Sequence, residues 1–161
     1  MQTYHLQNRP DREITDKSEI DSFLKKGKFA TIAMCKANEP YIVTLSYGFD
    51  ATKNVLYFHC APTGLKLDFI KANSLVCATI IEDGGYVINE CAHNFKSVIL
   101  WGKMSIIDDL SEKKHGMSTL LNHLETDSAL IATKLAKSDN YYPKMTILKL
   151  KIEQIHAKAG K

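Results

Sequence analysis

The chain has 161 residues, 45% of them hydrophobic and 24% charged, with a formal net charge of +3. That is enough chain for one domain with a substantial core, and the balance is ordinary for a globular protein. The positive charges are scattered without a Lys/Arg run, so nucleic acid is not an expected partner, and no apolar run approaches the length of a membrane span.

Taken in chain order, residues 1–12 read as an extended lead-in, where Arg9-Pro10 opposes helix. The lead-in is polar and has no signal-peptide core, which makes a cytoplasmic location the expectation. Ser18 to Lys25 carries Ile20, Phe23 and Leu24 at helical spacing and is ended by Gly27. "FATIAMC" (29–35), "YIVTLSYGF" (41–49) and "VLYFHC" (55–60) are rich in β-branched and aromatic residues and separated by turn-like "KANEP" and "DATKN". They predict a three-strand antiparallel meander. A short helix is predicted at about 64–73 and a buried strand at "LVCATII" (75–81), followed by a turn at "EDGG" (82–85). Residues 86–95 fit a loop or a short strand. "SVILWGKMSIID" (97–108) is a long strand in which Gly102 marks a bulge or a close approach.

Met117, Leu120, Leu121 and Leu124 then define an amphipathic helix capped by Ser111 or Asp109, and Leu130, Ile131 and Leu135 a second. "KMTILKLKIEQI" (144–155) alternates as a strand with one wet face, leaving 156–161 as a loose tail. Six strands without regular βαβ alternation exclude a doubly wound sheet. They predict a mainly β single domain over 1–161, a six-stranded antiparallel split β-barrel with peripheral short α-helices.

Four cysteines, Cys35, Cys60, Cys77 and Cys91, show no C-x-x-C spacing and are expected as free thiols, with Cys35 and Cys77 buried in strands. Cys91 and His93, together with His59 and Cys60, have enough sulfur and nitrogen for a metal, but their spacing matches no standard zinc site, and no metal is expected. His115 and His123, eight apart on one helix, are read as surface or structural residues.

The stretch "YFHCAPTGLKLDFIKAN" (57–73) carries the densest chemistry. It runs from strand to helix through a Pro-Thr-Gly turn. Thr63 can cap the helix and Gly64 lets a ligand approach the backbone. The first helical amides lack intrahelical acceptors and favour an anion. Lys66 stands in the first turn, where a cation opposes the helix dipole unless an anion lies between them. The alternative is a solvated lysine beside an ordinary capped helix, since most such turns hold no ligand.

"EPYIVTLSYGFD" (39–50), "VLYFHCAPTGLKLDFIKAN" (55–73), "VCATI" (76–80) and "NFKSVILWGKMSIIDDLSEK" (94–113), in this order, resemble the FMN-binding split-barrel superfamily. Within it the chain is most similar to the branch of nitroimidazole-resistance proteins, cousins of pyridoxamine 5'-phosphate oxidases. The resemblance implies a homodimer with FMN across its interface. It places Ile42, Val43, Thr44 and Leu45 along the flavin ring, Thr63, Gly64 and Lys66 at the phosphate, and His59 and Cys60 where the strand end meets the cofactor. It also brings Lys96 and Ser97 to the cofactor. The branch commonly has Pro where Thr44 stands and Ser where Cys60 stands. A deazaflavin also presents a phosphate-bearing tail, so the resemblance leaves both flavin types open.

The implied activity is FMN-dependent oxidoreduction of a small molecule, reduction of a nitro group or oxidation of a pyridoxamine phosphate being the two models, with neither nucleic acid nor membrane involved. No side chain need act as a general base, and His59 is the candidate proton donor. The alternative is a flavin- or haem-binding carrier or sensor without turnover, with His59 or His93 as an axial ligand.

Overall fold

The computed structural model describes residues 9–136 and 144–160. A 3-10 turn, Pro10–Arg12, leads into β1 (Glu13–Ile14), α1 (Lys17–Lys26), β2 (Phe29–Lys36), β3 (Glu39–Asp50), β4 (Val55–Cys60), α2 (Leu65–Ala72) and β5 (Leu75–Val87). Then follow β6 (Ala92–Ile107), α3 (Leu110–Leu124), α4 (Ser128–Ala136) and β7 (Thr146–Gly160). The strands are ordered β1-β7-β4-β3-β2-β5-β6, and β6 pairs back onto β7. Six antiparallel strands therefore close a barrel, with β1 added on one end of β7. The split is the β2–β5 seam, which holds only from Thr31↔Thr79 to Ala33↔Cys77.

The predicted meander and all six barrel strands are present, with differences at their ends. "EDGG" is not the reversal. Asp83 pairs with Phe95 and Tyr86 with His93, so the two glycines form a bulge inside the β5–β6 hairpin. The Asp83 carboxylate accepts from the Gly85 amide at 2.7 Å, satisfying a donor the ladder leaves out. The chain turns later, where Asn89 and Cys91 adopt positive φ. Residues 156–160 are strand rather than loose tail, with Phe95 opposite Gly160 and Glu13 opposite Lys158. Of the lead-in, 1–8 lie outside the described residues, and 10–14 form the 3-10 turn and β1 instead of extended chain alone. The register shift at Trp101/Gly102 bears out the reading of Gly102. A Cβ there would fall 2.0 Å from the Lys151 carbonyl oxygen.

β4 explains how the core divides. Leu56, Phe58 and Cys60 point into the barrel and join Ile32, Tyr47, Leu100 and Leu150. Val55 and Tyr57 point outward, where Met117, Leu120 and Leu121 of α3 cover them in a second cluster with Ile147. A strand buried on both faces needs such a partner. Gly48 and Gly116 let α3 lie close, since a Cβ on Gly48 would sit 2.6 Å from the Leu120 nitrogen and one on Gly116 2.8 Å from the Tyr57 ring. Asp109, not Ser111, caps α3 by accepting from the Glu112 amide. Cys60 is buried and Cys77 partly so, whereas Cys35 is exposed on the outer face of β2. No described helix is long and apolar enough to cross a membrane.

Candidate functional site

The turn after β4 is built around Gly64. Its φ of +133° and ψ of 162° are open to glycine and strained for other residues, and it occupies the N-cap position of α2. Thr63 therefore does not cap the helix as expected, and no side chain does. The Leu67 amide reaches the Gly64 carbonyl at 2.9 Å, which tightens the first turn. Lys66 folds back over this turn, its Nζ 4.0 Å from where a Gly64 Cβ would be. Its charge also reaches the Cys60 thiol, where it partly offsets the upward pull of burial on the thiol pKa. Glycine, uncapped helix start and lysine thus converge on one exposed corner beside buried Cys60.

β3 carries the second part. Tyr41, Val43 and Leu45 lean into the core, while Ile42, Thr44 and Ser46 face outward. The Thr44 and Thr31 hydroxyls meet at 2.9 Å across the β2–β3 ladder. Only Ile42 and Thr44 of the predicted ring-lining residues present side chains to the outside, so Val43 and Leu45 contribute mainly backbone there.

His59, opposite Ile147 on β4, borders a groove of about 460 Å³ with Thr44, Leu45, Ser46 and Phe29 on the sheet side. Burial on the groove side holds its imidazole below the ordinary histidine value, although the residue remains solvent-accessible. The opposite wall is α3, through Met117, Leu120, Leu121, Leu124 and Glu125. These groove residues were missing from the predicted set, because the leucine periodicity shows that α3 has an apolar face but not what that face meets.

α3 is fastened by polar contacts as well. His115 pairs with Asp50 at 2.8 Å, Glu112 with Lys149, and His123 donates to the Gly27 carbonyl at 2.6 Å. The structural reading of both histidines holds.

Lys96 and Ser97 line a different cavity, a cleft beneath α1. The Lys96 ammonium is taken by Glu19 at 2.8 Å, and Ser97 is 7% exposed. His93 binds the Asp83 carboxylate at 2.7 Å on the hairpin. Among the described residues no three His, Cys, Asp or Glu side chains converge as metal ligands.

A family model described as pyridoxamine 5'-phosphate oxidase matches residues 16–159. The chain belongs to that family. Its place in the FMN-binding split-barrel superfamily agrees with solved structures of the same fold. A 5-nitroimidazole antibiotic resistance protein from Bacteroides thetaiotaomicron, so described provisionally, superimposes with a TM-score of 0.78 at 24% identity, over 92% of this chain and 86% of that one. A FAD-binding protein from Mesorhizobium loti gives 0.68 at 21% identity, over 93% and 98%. A FAD- and haem-binding protein from Mycobacterium smegmatis gives 0.73 at 18%, over 93% and 74%. No curated protein matches the sequence significantly.

Proposed function

We propose that this family member is a flavoprotein oxidoreductase that binds FMN and acts on a small molecule as a homodimer. The observation that carries the reading is the corner after β4, where Lys66 overhangs a glycine-made, uncapped helix start. Exposed amides and one cation call for an anion of phosphate size. Flavin-binding relatives of the same fold support flavin as its bearer. Thr63, Gly64 and Lys66 would hold the phosphate, with Cys60 beneath it and His59 between phosphate and ring. The outward side chains of Ile42 and Thr44, with the backbone of Val43 and Leu45 between them, would run along the ring. Ser97 stands opposite Ile81, on the same sheet face as this stripe, and would reach the cofactor from there, whereas the Lys96 ammonium is engaged by Glu19.

A bound flavin supplies transfer of an electron pair between a donor and an acceptor. The chain's own part is to bind, orient and manage a proton. His59 stands beside the groove with its imidazole largely neutral at pH 7, ready to take a proton at a ring nitrogen and return it. A carrier without turnover is the second reading, favoured by the relative that binds both FAD and haem.

The visible spectrum of the purified protein, before and after FMN addition and desalting, tests both. Retained flavin bands are expected, with FMN identified by mass after release. Lys66→Ala should then weaken FMN by about tenfold or more, the worth of a charge-assisted hydrogen bond. A Soret band would shift the assignment to the haem carrier, and FMN that washes off the wild type would end the flavin reading.

A further inference from the structure

We propose that the groove beside the C-terminal end of α3 seats the substrate, and that this substrate is a flat, mainly apolar molecule carrying a cationic amine rather than a phosphate or carboxylate. Its role as the substrate seat rests on the flavin reading given above; its ligand class rests on the groove itself.

Strand alternation settles what the groove is made of. On the outer face of β3, Gly48 is roofed by α3, since a Cβ there would stand 2.6 Å from the Leu120 nitrogen. Ser46 and Thr44 follow on the same face and line the open space where the roof ends. Phe29 is opposite Ser46 across the β2–β3 ladder and is 62% exposed. On β4, Leu56, Phe58 and Cys60 point into the barrel, so His59 points out into the same space. The apolar face of α3, ending in Leu124, forms the far wall. A mainly apolar hollow of about 460 Å³ suits a small organic molecule. Thr44 also belongs to the stripe along which the flavin ring would run, so a molecule in the groove meets the edge of that ring.

Charge sets the ligand class. Among the described residues, no lysine or arginine lines the groove, and Glu125 is its formal charge. Glu125 is the C-cap of α3, where the helix dipole is also negative. Its carboxylate has no hydrogen-bond or ion-pair partner among the described residues. Lys28, next to Phe29 in the chain, donates instead to the His123 carbonyl at 2.7 Å. Burial holds the His59 imidazole below the ordinary histidine value, so it is largely neutral at pH 7 and recruits no anion. A cation is drawn to such a groove, and an anion finds nothing in it to pair with. This separates the two activity models. A phosphorylated substrate needs a second phosphate cradle besides the one at Lys66, and the groove does not supply it.

The test is a titration of the full-length, isotope-labelled protein, without and with saturating FMN, followed by backbone amide shifts. The probes are benzylamine, benzyl alcohol and benzoate, which carry one ring and are cationic, neutral and anionic at pH 7. Benzylamine is expected to move the amides of Phe29, Ser46, His59 and Glu125. Benzyl alcohol should move the same set about threefold more weakly and benzoate should move none, the worth of one exposed charge pair, with the difference shrinking in high salt. Glu125→Gln, at an exposed position, should bring benzylamine down to the affinity of benzyl alcohol and leave FMN binding unchanged. With FMN bound, benzylamine should still bind and should shift the visible flavin bands. No amide shift in this set, benzoate binding as tightly as benzylamine, an unchanged preference in Glu125→Gln, displacement of benzylamine by FMN, or flavin bands that do not move would each overturn the proposal. A protein that shows the amine preference here but binds no FMN would keep the ligand class of the groove and refute the flavin reading.

Discussion

His123 is enclosed by Tyr47, whose ring lies 4.9 Å away, and by the Gly27 carbonyl it donates to. Burial lowers its pKa first, the nearby Lys28 charge lowers it further, and the Gly27 bond opposes both. Its folded-state pKa therefore lies below the unfolded value of about 6.5. The stability this protects is present above that value and is lost as pH falls through it towards the folded pKa. His59 shifts in the same direction and adds to the effect. We expect urea midpoints to fall between pH 7.5 and 5.0, and His123→Gln to show a shallower fall. A variant slope equal to that of the wild type would remove His123 from the account. Gly64 makes a second prediction at this scale. Gly64→Ala forces a side chain into a φ of +133°, at a cost of roughly 1–3 kcal/mol. FMN affinity should fall while the barrel still melts cooperatively. Although most such turns hold no ligand, the glycine and the lysine at the strand-to-helix turn were legible in the sequence as residue types. That Thr63 leaves the helix uncapped was not, because the cap position shifts by one residue with the backbone angles of Gly64.

At the scale of elements, strands and helices announced themselves through β-branched runs and leucine spacing, and their existence followed local chemistry closely. Their ends did not. The two glycines of "EDGG" carry strong turn chemistry, but the ladder to β6 continues past them and absorbs them as a bulge. The contact of α3 with β3 was also hidden, because it joins segments about 70 residues apart. That contact depends on Gly48. Gly48→Ala should push the α3 backbone away, costing roughly 1–3 kcal/mol and lowering the melting midpoint by roughly 2–10 °C. Hydrogen exchange should locate the added mobility in α3, with β5 and β6 unchanged. Uniform protection loss across the barrel would show that the two parts are not separable in this way.

The whole molecule leaves one sheet face bare. Phe29, Ile42, Leu75 and Ile81 are each more than half exposed. The pairings Ala33↔Ile42 and Ala33↔Cys77, with the alternation of each strand, place all four on the outer face of β2, β3 and β5. A second copy is the occupant we propose for this face, and it would cover the same β3 stripe as the flavin ring. Light scattering at micromolar concentration should give twice the 18.1 kDa chain mass, and Ile42→Glu should give the single mass and lose FMN. A monomeric wild type would count against an interface-bound cofactor. Large apolar residues on both faces of β3 and β4 signalled that something beyond the barrel must cover them. The structure assigns the β4 share to α3, and no described element covers Ile42.

β7 is the last barrel strand to leave the ribosome, yet it bridges β4 and β6 and also receives β1. Until it is synthesised, β4 and β6 each keep an unpaired edge, and the inner face of the sheet has no closing wall. The barrel therefore cannot form strand by strand during translation. The nascent chain must wait with two open edges, at the stage when misassociation with neighbouring chains is easiest. Synthesis that stalls before Thr146 should yield an aggregating polypeptide rather than a smaller folded barrel.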